Sequence, residues 1–334
     1  MDFPIDFVVT WVDDNDDEWN RKKSEYSSKQ DSSNNGMSSK KAYRDWEVFN
    51  YWFRGVEKFA PWVNRVYLVT DNQKPKWLNV KNTKLTLVNH TDFIPKEYLP
   101  VFNSNAIEAN IHRISGLSEH FVVFNDDMFI TSPIEPTDFF DNNGTPKGRT
   151  SIKPIIPDRY GTANFQVNDM EIINYYFSKK EIIKKAKLLS KEQGLKNILR
   201  TVLYRTDSHF LGFSEDHMPY ALLKSTYMEV WDKEKSILEK TAQSRFREPA
   251  NTNIWLFKYW QFASGNISVR NEEIGKLFSL DWADDVKLWE LIPSGKYKIM
   301  CINDGFDIKD EDYIELSLHK SFEKLFPNKC SFEL

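Results

Sequence analysis

Two apolar runs in this chain end in an amide followed by acid. "HFVVFNDDMFI", His120 to Ile130, breaks at Asn125-Asp126-Asp127 and then resumes, and "CINDG" stops at Asn303-Asp304 before Gly305. Adjacent carboxylates repel one another and are costly to bury. They are tolerated at a strand end when water solvates them, when one caps the next helix, or when a cation sits between them. A hard divalent cation such as Mg²⁺ wants oxygen ligands and commonly bridges one or two carboxylates to substrate phosphates. Two Asn-Asp strand ends far apart in sequence therefore point to a shared cation site.

Other residues have chemistry to match a phosphate. Arg245 and Arg247 in "SRFRE" could clamp a pyrophosphate, because guanidinium presents a planar fork to phosphate oxygens. For a lone pair, surface charge on a helix is the commoner explanation. "FNSNAIE" places Asn103, Ser104, Asn105 and Glu108 at a helix entry whose free N–H groups could hold phosphate or sugar oxygens, although capping alone accounts for Ser104 or Asn105. Arg44 could reach a nucleotide or simply make a surface salt bridge. Six histidines offer a general base near neutral pH. On the residues alone each is better explained as a satisfied structural side chain.

These groups need elements to position them. "IDFVVTWV" (5–12) reads as a buried strand running into an acidic loop, Asp13 to Asp17. Residues 24–40 are Ser/Asn-rich and read as a mobile loop. "YRDWEVFNYWFRGVEKFAP" (43–61) has apolar residues at helical spacing and stops at Pro61. Strands follow at 63–71 and 84–90, then a helix at 105–114 and a strand at 120–127. This order implies an α/β fold, a Rossmann-like or GT-A-like mostly parallel sheet, with ligands beyond the carboxyl ends of its strands. Asp13, Asp71 and Asp126-Asp127 should then meet along one sheet edge. Residues 165–200 are helical in period, a further helix is expected to begin around Met218-Pro219, and an aromatic helix ends at Gly265. A strand near 298–304 and a short helix close the chain. The expected domains are an α/β core (1–140), a mostly helical subdomain inserted before the C-terminal strand (141–290), and a C-terminal segment completing the core and the cation site (291–334).

Composition narrows the function classes. The 334 residues are 40% hydrophobic and 15% aromatic, ample for a large core and for stacking on flat or ring-shaped ligands. The net charge of −4 offers no global basic field for nucleic acid. Two cysteines, Cys301 and Cys330, fit a reducing compartment without a disulfide framework. The start "MDFPIDFVVTWVDDND" lacks a signal peptide's basic and apolar regions, and no stretch has the apolar length of a membrane span, so a cytoplasmic protein is expected. The segment 179–200 carries eight Lys or Arg against two Glu. It sets Ile182, Ile183, Ala186, Leu189 and Ile198 within helical reach, as a solvated helix or as peripheral contact with the inner membrane surface.

Taken together, "IDFVVTWVDDND" resembles the first conserved block of the Stealth family. "RDWEVFNYWFRGVEKFAPWVNRVYLVTDNQKPKWLN" through "PVFNSNAIEANIHRISGLSEHFVVFNDDMFI" resembles its second block. "EDHMPYALLKSTYMEV" with "SRFREPANTNIWLFKYW" is similar to the third, and "CINDG" to the short fourth. The resemblance, in family order over roughly half the chain, implies a compact bacterial hexose-1-phosphotransferase for capsule or exopolysaccharide. Such an enzyme moves sugar-1-phosphate, as hexose or N-acetylhexosamine, from a UDP-sugar to a hydroxyl of a saccharide or lipid-linked oligosaccharide, makes a phosphodiester and releases UMP. It further implies Asp126, Asp127 and Asp304 for Mg²⁺ or Mn²⁺ with Asn303 as helper, and Trp11, Val12 and Asp13 in the block expected to hold the nucleotide. His217 falls on the third-block histidine as the expected base, and His112 on a second-block histidine as a phosphate or ribose contact. Two other classes are open: a metal-dependent nucleotide-sugar glycosyltransferase releasing UDP, and a non-catalytic carbohydrate-binding module.

Overall fold

A computed structural model describes residues 1–27, 43–44, 46–157, 161–206, 208–270, 274–282, 287–305 and 308–334. Most of the Ser/Asn-rich segment expected to be a mobile loop lies outside the described residues. The strands are β1 (Ile5–Thr10), β2 (Arg65–Thr70), β3 (Leu85–Asn89), β4 (His120–Asn125), β5 (Met128–Ile130), β6 (Lys147–Gly148), β7 (Tyr220–Leu223), β8 (Ser268–Val269), β9 (Gly275–Ser279) and β10 (Ile299–Asn303). The α-helices are α1 (Asp17–Tyr26), α2 (Phe49–Phe59), α3 (His90–Phe93), α4 (Ser104–Asn110), α5 (Pro136–Phe139), α6 (Ala163–Tyr176) and α7 (Lys179–Lys185). They continue with α8 (Gly194–Tyr204), α9 (Lys224–Lys233), α10 (Lys235–Gln243), α11 (Trp255–Ser264), α12 (Leu288–Ser294) and α13 (Glu311–Leu325).

The central sheet has the order β3-β2-β1-β4-β7, and its first four strands are parallel, as the strand and helix order implies. Both faces are covered, so the strands are apolar on both sides. Phe7, Val9, Leu68 and Phe124 face a core shared with α2 and α13, while Val8, Val69, Phe121 and Val123 face one shared with α9 and α11. Every residue of α11 from Trp255 to Ala263 is buried, and its chain ends at Gly265 in the left-handed conformation. Between β1 and β4 the chain order reverses direction across the sheet, which opens a crevice at their carboxyl ends.

Several expectations are corrected. The buried run Tyr220–Leu223 forms the antiparallel edge strand β7 against β4, so the helix begins only at Lys224. The acids after β1 lead into α1, which Asp16 caps by accepting from the Trp19 N–H at 2.8 Å. Only Trp19 of that helix is buried, which left no apolar period to read. The C-terminal strand β10 lies in a second, three-stranded sheet, β5-β10-β9. Of the apolar set on 179–200, Ile182 and Ala186 are buried, where α7 packs on α11. Among the described residues, no helix is long and apolar enough to cross a membrane.

Candidate active site

The turn Asp126-Asp127 is where the chain leaves the central sheet and enters the small one. β4 ends at Asn125, opposite Thr10 of β1, and β5 begins at Met128, opposite Cys301 of β10. The Ile302 N–H donates to the Asp127 carbonyl at 2.8 Å, which draws the end of β10 up to the turn. The two Asn-Asp strand ends therefore meet, although they belong to different sheets. An added Cβ on Gly55 of α2 would collide with the Ile130 carbonyl, so glycine is what lets α2 lie directly on β5.

A cavity of about 760 Å³ opens at these strand ends. Asp126, Asp127, Asn303, Asp304 and His217 all line it. Asp127 Oδ2 accepts from Cys301 Sγ at 3.3 Å and from Asn303 Nδ2 at 3.5 Å. Its Oδ1 is buried and has no hydrogen-bond partner among the described residues. Burial pushes the Asp127 carboxyl above the usual range, against the opposing pull of His217 and the two hydrogen bonds. Ligand atoms of Asp127, His217 and Cys301 all lie within 4.8 Å of one another, close enough to hold a metal ion. Burial, with Asp127 beside it, drives the Cys301 thiol well above its ordinary value, so it stays protonated and donates. An oxygen-seeking cation is the better match to this corner. Its donors are carboxylate and amide oxygens, and one buried carboxylate oxygen lacks a partner. Arg44 supplies the standing counter-charge, with Nε 3.4 Å from Asp304 and Nη2 3.2 Å from Glu311.

His217 has φ of 51°, in the left-handed region that few non-glycine residues adopt. Its turn is pinned from both sides. Buried Lys258 of α11 lies 3.0 Å from Glu215 and 3.5 Å from Asp216, and Arg270 lies 3.7 Å from Asp216. Next to it, Met218 packs so close to Gly275 of β9 that a Cβ there would collide with the sulfur.

The same lining carries a cation and hydrogen-bond donors. Arg247 Nη2 donates to Ser104 Oγ at 2.7 Å, and both line the cavity with Asn105 and Glu108. Burial pushes Glu108 from 4.5 up to about 7, opposed by the charge of Arg247 and by a hydrogen bond from the Ile254 backbone. The Asn105 side-chain nitrogen is buried without a hydrogen-bond partner among the described residues. Aromatic rings complete the surround, among them Trp11, Trp19, Phe102, Phe165 and Trp255. Trp11 stacks on Phe49 with ring centroids 5.8 Å apart, and Val12 lines the cavity beside it.

Four expected site residues stand outside the lining. Asp13 accepts from the Asn15 N–H at 2.9 Å, and its backbone is clasped by Gln73. Asn103 is buried and donates to the Ser244 and Phe246 carbonyls and to Asn251, which fastens the loop that carries Arg247. Arg245 points away and lies over the Tyr26 ring, so the arginine pair divides. His112 is packed against Tyr227 and Trp231. Burial and the charges of Arg113 and Lys224 lower it to about 3, which holds it neutral. Asp71 does reach the cavity, but Lys22 occupies its carboxylate at 2.6 and 2.8 Å.

Sequence reasoning missed Cys301, Glu215 and His90. Glu215 and His90 line the cavity, and Cys301 lies behind Asp127. Glu215 sits two residues before His217, which was its one available signal. Cys301 and His90 gave none, since each depends on a neighbour from another strand.

The fold and this corner define an α/β protein of Rossmann-like architecture, with its cavity at a sheet switch point. Comparison with known proteins is specific. Residues 3–31 match the family model "Stealth protein CR1, conserved region 1" and residues 42–148 match "Stealth protein CR2, conserved region 2". The chain is 58% identical over 330 residues to the receptor polysaccharide phosphotransferase WefC of Streptococcus oralis, covering 99% of each. It is 57% identical over 330 residues to the capsular polysaccharide phosphotransferase WcwK of Streptococcus pneumoniae, again 99% of each. With the exopolysaccharide phosphotransferase cps2G of Lactiplantibacillus plantarum it shares 36% identity over 337 residues, 99% of this chain and 96% of the relative. The chain belongs to the Stealth family, and is an enzyme of the phosphotransferase class.

Proposed function

We propose that the protein transfers hexose-1-phosphate or N-acetylhexosamine-1-phosphate from a UDP-sugar to a hydroxyl of a growing capsular or exopolysaccharide, free or carried on lipid. The observation that carries this reading is the acid corner, where Asp127 keeps a buried oxygen without a partner beside His217 in a cavity large enough for a nucleotide-sugar. The names of the relatives support polysaccharide phosphotransfer.

In this reading the acceptor oxygen attacks the phosphorus that bears the sugar. A new phosphorus–oxygen bond forms, the bond to the bridging oxygen breaks, and UMP departs with that oxygen. An imidazole nitrogen of His217 takes the hydroxyl proton. The Arg247 guanidinium, steadied by Ser104, neutralises charge on the phosphoryl oxygens. Asn105 offers its unpaired amide N–H to a phosphate or sugar oxygen. Trp11 and Val12 flank the base. Asp126, Asp127, Asn303 and Asp304 would hold Mg²⁺ or Mn²⁺, which supplies charge neutralisation at the diphosphate. Residues 1–140 thus hold the nucleotide, 141–290 bring His217 and Arg247, and 291–334 complete the cation corner.

The test is to incubate the protein with a panel of UDP-sugars, Mg²⁺ or Mn²⁺ and a saccharide acceptor, and to measure the nucleotide released. UMP with a phosphodiester product is expected. UDP with a glycoside product would show a glycosyltransferase and overturn the reading.

A further inference from the structure

A helix on a protein surface ordinarily turns its apolar stripe inward. In α8 the arrangement is reversed. Leu195, Leu199, Val202 and Leu203 fall on one face at helical spacing and are 72%, 59%, 40% and 68% exposed. The one fully buried residue of the helix is the polar Thr201, on the opposite side. Leu189, just before the helix, is also exposed. Of the apolar set expected from the sequence, Leu189 adjoins this face, while Ile182 and Ala186 are consumed in the core.

Charge decides what can cover that face. Between residues 182 and 205 there are seven Lys or Arg and a single acid, Glu192, in a chain whose net charge is −4. Lys191 and Lys196, next to the leucines in sequence, are exposed, as are Lys184, Lys187 and Arg205 to either side. A second copy packed on this face would set these positive charges against one another. An anionic bilayer satisfies both features, taking the leucines into its acyl boundary and the ammonium groups at its headgroups. The helix spans about 16 Å, too short to cross, so it would lie in the interface plane.

We propose that α8 is a docking helix that seats this enzyme on the surface of an anionic lipid bilayer, with Leu195, Leu199, Val202 and Leu203 inserted and the flanking lysines against lipid headgroups. The proposal rests on no part of the donor or acceptor assignment.

The test is co-sedimentation of the full chain with vesicles of phosphatidylglycerol and, separately, of phosphatidylcholine alone. Binding to the anionic vesicles is expected, weakening with added salt. The triple variant Leu195→Ser, Leu199→Ser, Leu203→Ser should bind roughly tenfold more weakly or less still. Circular dichroism on that variant checks that it is folded. A second variant, Lys191→Glu with Lys196→Glu, keeps the apolar face and should also lose binding. Failure of the wild type to sediment with anionic vesicles would overturn the proposal, as would undiminished binding by a folded triple variant. Light scattering that shows a wild-type dimer dissolved by the serine substitutions would overturn it as well, by giving the face to a second copy.

Discussion

The two edges of the central sheet treat buried acid differently. At the amino edge, Asp6 of β1 is fully buried, and both its oxygens are occupied. Oδ1 accepts from Asn64 Nδ2 at 2.7 Å, and Oδ2 from the Ser118 N–H at 2.8 Å. At the carboxyl edge, Asp127 has one oxygen engaged by weak donors and the other left open. Asp6 ties the loops before β2 and β4 to the sheet, and its burial is compensated. Asp127 is uncompensated, and burial raises its affinity for a proton. The comparison separates structure from chemistry: a satisfied buried polar group holds the fold, and an unsatisfied one at a strand end is available to a ligand.

This contrast can be broken most directly at Asp127. Asp127→Asn should lower the rate of nucleotide release about 10²–10³-fold while melting at or above the wild-type temperature. A steady-state assay paired with a thermal melt measures both, and a large drop in melting temperature would erase the distinction. Glu108 sharpens it next, because it too is buried at the carboxyl edge. Its folded value of about 7 lies above the ordinary 4.5, so the folded state keeps a proton that the unfolded state has already lost. Stability therefore falls as pH rises from 4.5 to about 7, by about 3 kcal/mol, and stays low above. Glu108→Gln should remove that loss, which urea unfolding at several pH values will show as a widening advantage over wild type. Asp6→Ala should do the opposite of Asp127→Asn. It strands the donors of Asn64 and Ser118 and should cost about 2–3 kcal/mol of stability, with the rate per folded molecule unchanged. The smallest effect concerns the arginines. Arg247→Ala should raise the donor KM about tenfold, whereas Arg245→Ala should leave it close to wild type.

Much of the parallel sheet was legible because β-branched and aromatic runs alternate with helical periods, and the parallel connection rule leaves few other arrangements. The acids at the ends of β2 and β4 were legible for the same reason. The division of the arginine pair was not. Arg245 and Arg247 are two apart in a bent loop, and it is Arg247 that donates to Ser104 of α4 at the cavity. His112 and His217 looked equivalent as isolated letters, yet one is walled in by Tyr227 and Trp231 and the other lines the cavity. The edge strand β7 escaped notice because four buried residues fit a helix or a strand, and pairing with β4 chose between them.

By itself the sequence determined which segments are apolar on two faces, where they end in acid, and which family the chain joins, since local pattern and motif order are carried by the chain. Tertiary structure alone decided which acids meet, which carboxylate oxygen stays open, and that the apolar face of α8 looks outward. Those properties depend on neighbours brought together across a hundred or more residues, and on where burial removes water from a charge.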